Sequence, residues 1–572
     1  MITLSPEAEA VLKARYLRGK ETPADLFKRA ADHVAQAEAA YGRDVAAAAR
    51  EYYALMSSLT FLPNSPTLIN AGKARAQLAA CFVLPVEDSL PGIFDTLKYT
   101  ALIHQSGGGT GFSFSRLRPE GDIVSVTDGA SSGPVSFMHI FDAATQIVKQ
   151  GAARRGANMA ILRVDHPDIF TFITAKRRRD VLNNFNLSVG ITDEFMRAVQ
   201  NQTNYELINP RNGAILKSVP AAEIFNLLVE MAWENGEPGL FFLDTVNKAN
   251  PTPALGRFEA PNPCSEQPLL PYESCVLGSV NLTRMIAGKG QGMYLDKEKL
   301  ARTVRTAVRF LDNVIDVNHY PLAQVSAATG LTRKIGLGIM GLADVFILLD
   351  LPYASQQAVD LTRDTMHFIS DEARAMSAEL GRERGNFPAF GCSVYPSLGY
   401  SHMRNATVTT IAPTGTISMI AGCSSGIEPL FGLAMTRRVL EGQLITSINM
   451  AALNYLNKHD LFSRKVKEHI TATGSVAGLG LPERVTKVLA TAHGIEPAWH
   501  VAHLAAAQQY TDNGVSKTVN LPEHATRQNV AEVFWAAYAK GCKGVTVYRD
   551  ASREQQVLTH GVNVPCEECR LD

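Results

Sequence analysis

Cysteine is scarce in this chain, eight in 572 residues, and neither sign of charge is in excess, since 55 Lys and Arg balance 55 Asp and Glu. So thin a scatter of thiols excludes a secreted disulfide framework. It leaves the cysteines mostly reduced, so that any disulfide that does form reads as catalytic. The charge balance gives nothing to draw the chain to nucleic acid or to a membrane surface. Lys176-Arg177-Arg178-Arg179 is the only short basic run, either a solvated face or a phosphate-facing patch. No apolar stretch approaches the roughly twenty residues of a membrane span, and the opening MITLSPEAEA lacks a basic-then-apolar leader pattern. The expectation is a cytoplasmic protein without a membrane partner. Internal repeats and long low-complexity linkers are missing too. His104 and His139 lack metal-ligand spacing and read as structural, so no metal site is expected; Cys392, Cys423 and Cys542 match no catalytic position.

The length suggests roughly three or four domains unless one large α/β barrel accounts for it. Residues 1–58 read as helical: Thr22-Pro23-Ala24-Asp25 supplies an N-cap, a proline at the first helical position and an early acid. From 59 to 550, short apolar or β-branched runs alternate with helix-period segments such as AAEIFNLLVEMAWEN, closed by Gly236, and TVRTAVRFLDNVI. Alternation of that kind predicts a mainly parallel α/β sheet or barrel. Residues 551–572 read as a mobile tail.

Four local patterns carry chemistry. In Asn262-Pro263-Cys264-Ser265-Glu266 an amide, a thiol and a carboxylate alternate, hemmed in by Pro261, Pro263, Pro268 and Pro271; the loop is stiff and aims three chemistries at one small volume. Cys566-Glu567-Glu568-Cys569 near the C-terminus is a dithiol or half of a zinc site with His560 as a third ligand. Ala412-Pro413-Thr414-Gly415-Thr416-Ile417-Ser418 follows an apolar run and suits an anion at a helix start. Gly336-Leu337-Gly338-Ile339-Met340-Gly341 matches GxGxxG, but the preceding TGLTRK is a poor buried strand, so close packing or backbone approach to a bulky cofactor is preferred over a dinucleotide site.

The wording PNPCSEQPLLPYESCVLGSVNL closely resembles the active-site loop of the ribonucleotide reductases. The resemblance implies a ten-stranded α/β barrel with the Cys264 loop threading its centre. It implies further that Cys264 becomes a thiyl radical taking the 3′ hydrogen of a ribonucleotide, that Glu266 handles the 3′-hydroxyl proton, and that Asn262 helps to hold the sugar. Cys275 and Cys81, the latter in NSPTLINAGKARAQLAACFVLPVEDS, match the reducing pair. A disulfide inside a barrel is beyond the reach of a large thioredoxin- or glutaredoxin-like reductant, and Cys566 and Cys569 on a flexible arm fit the shuttle to it. Thr414, Gly415 and Thr416 match the phosphate loop, with Ser65 and Thr67 assisting. Asp88, Gln150 and Arg155 match positions of the dNTP effector site, and SGPVSFMHIFDAATQIV resembles a dimer helix, which implies a homodimer. No room is left for a further regulatory nucleotide domain before Phe61.

The end of the barrel separates the classes of this family. A diiron-dependent reductase passes its radical through two adjacent tyrosines, where this chain has Val547-Tyr548; a glycyl-radical enzyme would carry a radical glycine and usually zinc near the C-terminus. GGGTGFSFSRLRPEGD, RRGANMAILRVDHPDIF, RKIGLGIMGLADVF and GVTVYRDASREQQVL resemble the adenosylcobalamin-dependent class, although no Asp-x-His-x-x-Gly cobalamin motif occurs. The expectation is an adenosylcobalamin-dependent ribonucleoside di- or triphosphate reductase, diphosphate favoured. The alternatives are the large subunit of a metal-dependent reductase and a non-catalytic nucleotide sensor on the same fold.

Overall fold

Thr22 starts its helix as the sequence predicts: its hydroxyl accepts from the Asp25 amide while the Asp25 carboxylate accepts from the Thr22 amide, capping Pro23–Ala35. The computed structural model describes residues 2–124, 129–148, 156–178, 180–438 and 444–552. Pro6–Arg15, Pro23–Ala35 and Val45–Ser57 form the N-terminal helices. They are tied to the rest through Glu38, fully buried, which accepts from Tyr52, Asn313 and Arg384. Asn313 and Arg384 belong to the long helices Lys297–Val317 and Gln356–Arg384.

The barrel strands are β1 (Phe61–Pro63), β2 (Cys81–Pro85), β3 (Gly109–Ser113), β4 (Asn158–Arg163), β5 (Phe185–Ile191), β6 (Gly239–Phe242), β7 (Ser274–Asn281), β8 (Ile335–Met340), β9 (Thr518–Leu521) and β10 (Gly544–Arg549). β2 through β6 pair in parallel, in chain order. β7 pairs with β8, and β9 with β10, also in parallel. These two sets meet antiparallel at β2–β7 and at β6–β10, with β1 extending the same edge of β7. Isolated parallel bridges Leu337–Thr409 and Ile411–Val515 connect β8 to the chain just before β9 and close the ring. The sheet is thus a ten-stranded barrel, as expected. Every residue of β7 and β8 is buried, which is why both read as continuous apolar or small-residue runs.

Helices cross between parallel strands: Leu90–Ser106 from β2 to β3, Gly133–Ile147 from β3 to β4, and Ala221–Asn235 from β5 to β6, ended by Gly236 at φ +82°. The GxGxxG run proves to be β8 itself, with Gly341 turning into the next helix. It is no phosphate turn; Gly336 and Gly338 sit against Thr410 and Gln267. Sequence reading did not single out a small helical cluster outside the barrel, Met450–Lys458, Arg464–Thr473 and Glu483–Val488, which has an apolar core of its own.

Inside the barrel, Ala260–Pro261 and Pro268–Leu269 pair antiparallel, and the hairpin they form carries residues 262–267 at its tip. The hairpin fits because the wall gives way. A Cβ on Gly111 of β3 would stand 1.8 Å from the Pro261 carbonyl oxygen, and one on Gly514 would stand 2.6 Å from that of Ser265. Gly111→Ala should therefore displace the hairpin and cost about 1–3 kcal/mol, read as a lowered thermal midpoint. Gly330→Ala, where a Cβ meets nothing within 4 Å, should leave the midpoint unchanged or slightly raised.

Candidate active site

The hairpin tip is fastened on every side. The Asn262 amide nitrogen donates to the Gln267 carbonyl (3.0 Å), and the Gln267 amide returns a bond to Asn262 Oδ1 (2.9 Å). Ser265 lies at φ +63° and donates to the Asn262 carbonyl, closing the turn. From the barrel wall, Asn186 Nδ2 donates to the Pro263 carbonyl (2.8 Å); Thr410 Oγ1 and the Gly514 amide both donate to that of Glu266 (2.9 and 2.8 Å). With its carbonyls pinned, the turn has one rigid way to present Cys264, which is exposed while Asn262 and Glu266 are buried.

Cys81 and Cys275 face one another across the β2–β7 pair as direct register partners. Opposed residues of an antiparallel pair have Cα atoms about 4.5–5.5 Å apart, within the range a disulfide spans. Both are thiols in this structure. Asn262 Nδ2 donates to Cys81 Sγ at 3.0 Å, so the hairpin tip touches the pair directly. Burial pushes both thiols well above the usual cysteine range. The Glu266 carboxylate pushes each of them further up, and at Cys81 so does Cys264. Cys264, Glu266, Asn262, Cys81 and Cys275 thus share one electrostatic neighbourhood.

On its other side Cys264 lines a cavity of about 680 Å³. Val547 and Tyr548 of β10, Ser418 and Cys423–Ser425, and the apolar Leu430, Phe431 and Leu433 share its wall. Thr414 holds φ +55° and accepts from the Gly426 amide, opening the helix Gly415–Ala421; Gly415 is exposed and Thr416 half-buried. The two predicted helpers have protein partners. Thr67 Oγ1 donates to Asn64 Oδ1 and to the Leu78 carbonyl inside the Asn64 cap of helix Ser65–Asn70, and Ser65 Oγ is bonded to Tyr16 Oη. Asp88 forms a bidentate pair with Arg118. Gln150, Arg155, Cys566 and Cys569 lie outside the described residues. His104 is buried and bonded to Thr110, its pKa pushed down by burial to about 4, in keeping with a structural role.

A family model described as the ribonucleotide reductase barrel domain matches residues 79–402 and 397–548, and one for the all-alpha domain matches residues 3–76. The chain belongs to the ribonucleotide reductase family. Among its relatives is a vitamin B12-dependent ribonucleoside-diphosphate reductase of Thermoplasma acidophilum, 51% identical over 89% of this chain and 66% of that protein. Another of the same name, from Mycobacterium tuberculosis, is 46% identical over 99% of this chain and 80% of its own length. A vitamin B12-dependent ribonucleotide reductase of Streptomyces clavuligerus is 31% identical, and the chain spans 60% of its length. The class Id ribonucleotide reductase alpha subunit of Actinobacillus ureae has the same fold, with a TM-score of 0.79 at 22% identity over 96% of this chain and 97% of that one.

Sequence reading missed the residues that hold the hairpin, Asn186, Thr410 and Gly514, and the buried Lys334 and Glu273 near Cys275. Lys334 at the head of an apolar run was the one visible signal. Mild oxidation should link Cys81 to Cys275, found as a single cross-linked peptide pair by non-reducing digestion and mass spectrometry, and Cys81→Ser should abolish that species. A link from Cys275 to any other cysteine in its place would contradict the pairing.

Proposed function

We propose that this protein reduces ribonucleoside diphosphates to 2′-deoxyribonucleoside diphosphates with adenosylcobalamin as radical source. The observation that carries this reading is the position of Cys264: one thiol on a rigid tip, an open cavity on one side and the Asn262, Glu266, Cys81 and Cys275 cluster on the other. In this reading the Cys264 sulfur, as a thiyl radical, takes the 3′ hydrogen and Glu266 the 3′-hydroxyl proton. The 2′-hydroxyl leaves as water, and the two electrons come from Cys81 and Cys275, which end as a disulfide. Thr414, Gly415 and Thr416 receive the phosphates, assisted by Ser65 and Thr67 of the Asn64-capped helix.

The cavity suits a large amide-bearing cofactor, because it sets the partly exposed apolar Leu430 and Phe431 beside polar Ser425, Asn449 and Ser516; these residues would hold it. When bound, the group supplies an organic radical from its cobalt–carbon bond. The curated relatives named as vitamin B12-dependent support this assignment, as does the single Tyr548 on β10. We further read residues 1–58 as a helical segment, 59–550 as the catalytic barrel and 551–572 as a redox tail. Among the described residues no helix is long and apolar enough to cross a membrane, and the redox thiols fit the reducing cytoplasm. Exposed Leu90, Phe94, Leu102, Ile140 and Ile147 concentrate on Leu90–Ser106 and Gly133–Ile147. That concentration supports a homodimer through these helices, with a dNTP effector bound near Asp88, Gln150 and Arg155.

Anaerobic incubation of CDP or CTP with the protein, adenosylcobalamin and dithiothreitol, and no second protein, should yield the 2′-deoxynucleotide, CDP being the better substrate. Activity that appears only with a separate metal-containing subunit overturns the class. Cys264→Ser should bind substrate but give no product; multiple turnover by this variant would sink the radical assignment. The double variant Cys566→Ser/Cys569→Ser should keep most dithiothreitol-driven turnover and lose nearly all thioredoxin-driven turnover, and equal rates with both reductants exclude a tail shuttle.

A further inference from the structure

A buried ion pair lies directly behind the dithiol. β7 and β8 run parallel with Val276 opposite Ile335, so the residues one step earlier, Cys275 and Lys334, are also neighbours, and their side chains share a face. Cys81 flanks Cys275 from the opposite strand. Cys81, Cys275 and Lys334 therefore form one lateral row across three strands. Gly336 and Gly338 follow Lys334 at alternate positions and meet Gln267 of the hairpin and the Thr410 carbonyl, so the row faces the lumen.

The Lys334 side chain is fully buried, and Nζ lies 2.5 Å from Glu273 Oε2 and 4.6 Å from the centre of the Phe258 ring. Glu273 is held in turn by Thr332 Oγ1 and by the Leu270 amide, both at 2.7 Å. Burying two charges is costly, and well-packed apolar residues of the same volume would serve stability as well or better. A charge kept at such a place asks for a use, and beyond its partner Glu273 the register sets it beside the Cys275 thiol, a group that can take up negative charge.

Resting on the reading of Cys81 and Cys275 as the redox pair, we infer that Lys334 is a positioning residue that stabilises negative charge on the Cys275 sulfur and makes Cys275 the leaving group when the disulfide is opened. The step balances. A reductant thiolate attacks Cys81 Sγ, the Cys81–Cys275 bond breaks, and its electron pair remains on Cys275 Sγ beside the ammonium. A second reductant thiolate then cleaves the mixed disulfide at Cys81. The reductant is oxidised by two electrons, and each cysteine ends by taking up one proton. Each sulfur has one stabilising neighbour of a different kind: at Cys81 it is the neutral Asn262 amide, which donates to the sulfur, and at Cys275 it is the Lys334 ammonium, which opposes the rise that burial, Glu266 and Glu273 impose. Disulfide exchange is faster when the leaving thiol is the more acidic one.

Two substitutions break the same ion pair with opposite electrostatic sense. In the oxidised protein, the rate of opening by 2-mercaptoethanol is followed by mass spectrometry of the mixed disulfide. Lys334→Met should slow opening on the order of tenfold, and Lys334→Arg should recover most of the rate. Glu273→Gln removes the countercharge and leaves the ammonium, so opening should be as fast as in the wild type or faster. Both variants slowed, both hastened, or Lys334→Met within twofold of the wild type would overturn the inference, since damaged packing acts without regard to sign. If Lys334→Met does not fold, slower opening in Glu273→Gln alone overturns it. Failure of the unsubstituted protein to form the Cys81–Cys275 disulfide would instead remove the redox-pair reading on which the inference rests.

Discussion

The barrel depends on a backbone hairpin being admitted to its lumen, where side chains ordinarily pack. Close-packed interiors leave no spare volume, so the wall must lose atoms where the hairpin passes. It does so at Gly111 and Gly514, whose missing Cβ atoms make way for the carbonyls of Pro261 and Ser265. The exchange is favourable because the hairpin brings its own polar groups into contact with donors already in the wall: Asn186, Thr410 and the Gly514 amide meet carbonyls that burial would otherwise leave unsatisfied. The stiffness of the prolines and the anchoring of the carbonyls act together, and the position of Cys264 follows from both.

That position divides the interior into two unlike halves. On the cavity side the thiol is reachable and the walls mix apolar and polar groups. On the other side, Cys81, Cys275, Glu266 and Asn262 are almost wholly excluded from water. There thiolates are disfavoured and interactions between charges are strong. A thiol kept protonated is a good donor of a hydrogen atom and a poor casual nucleophile, which suits a site that must hold its reducing equivalents until substrate arrives. The Lys334–Glu273 pair sets an ammonium, with its countercharge, at the end of that dry row.

Much of this was legible because its signals are local. The hairpin announced itself through four prolines around Asn262, Cys264 and Glu266, the second helix through the Thr22 box, and the fold class through strand–helix alternation. What was not legible depends on register between distant segments. Cys81 was paired with Cys275 by family resemblance alone until β2 met β7, and Lys334 looked like a charged strand flank until β8 placed it beside Cys275. Local partners were equally hidden: Thr67 lies in a segment matched to the phosphate site, and its hydroxyl also donates within the cap of its own helix. The glycines of β8 fitted a nucleotide pattern because tight packing and phosphate cradling call for the same small residue.

The ring is assembled from chain segments in an order that bears on how it can be filled. The five parallel strands β2 to β6 precede the hairpin in the chain, β7 and β8 follow it, and β9 and β10, which join the two sets at the far seam, come last. With only the strands that precede residues 260–269 in place, the sheet would be an open trough with β2 and β6 as unpaired edges. The hairpin can therefore settle sideways onto the β3 glycines, with no need to be threaded through a finished ring, and the final strands of the chain act as the stave that closes the cask around it.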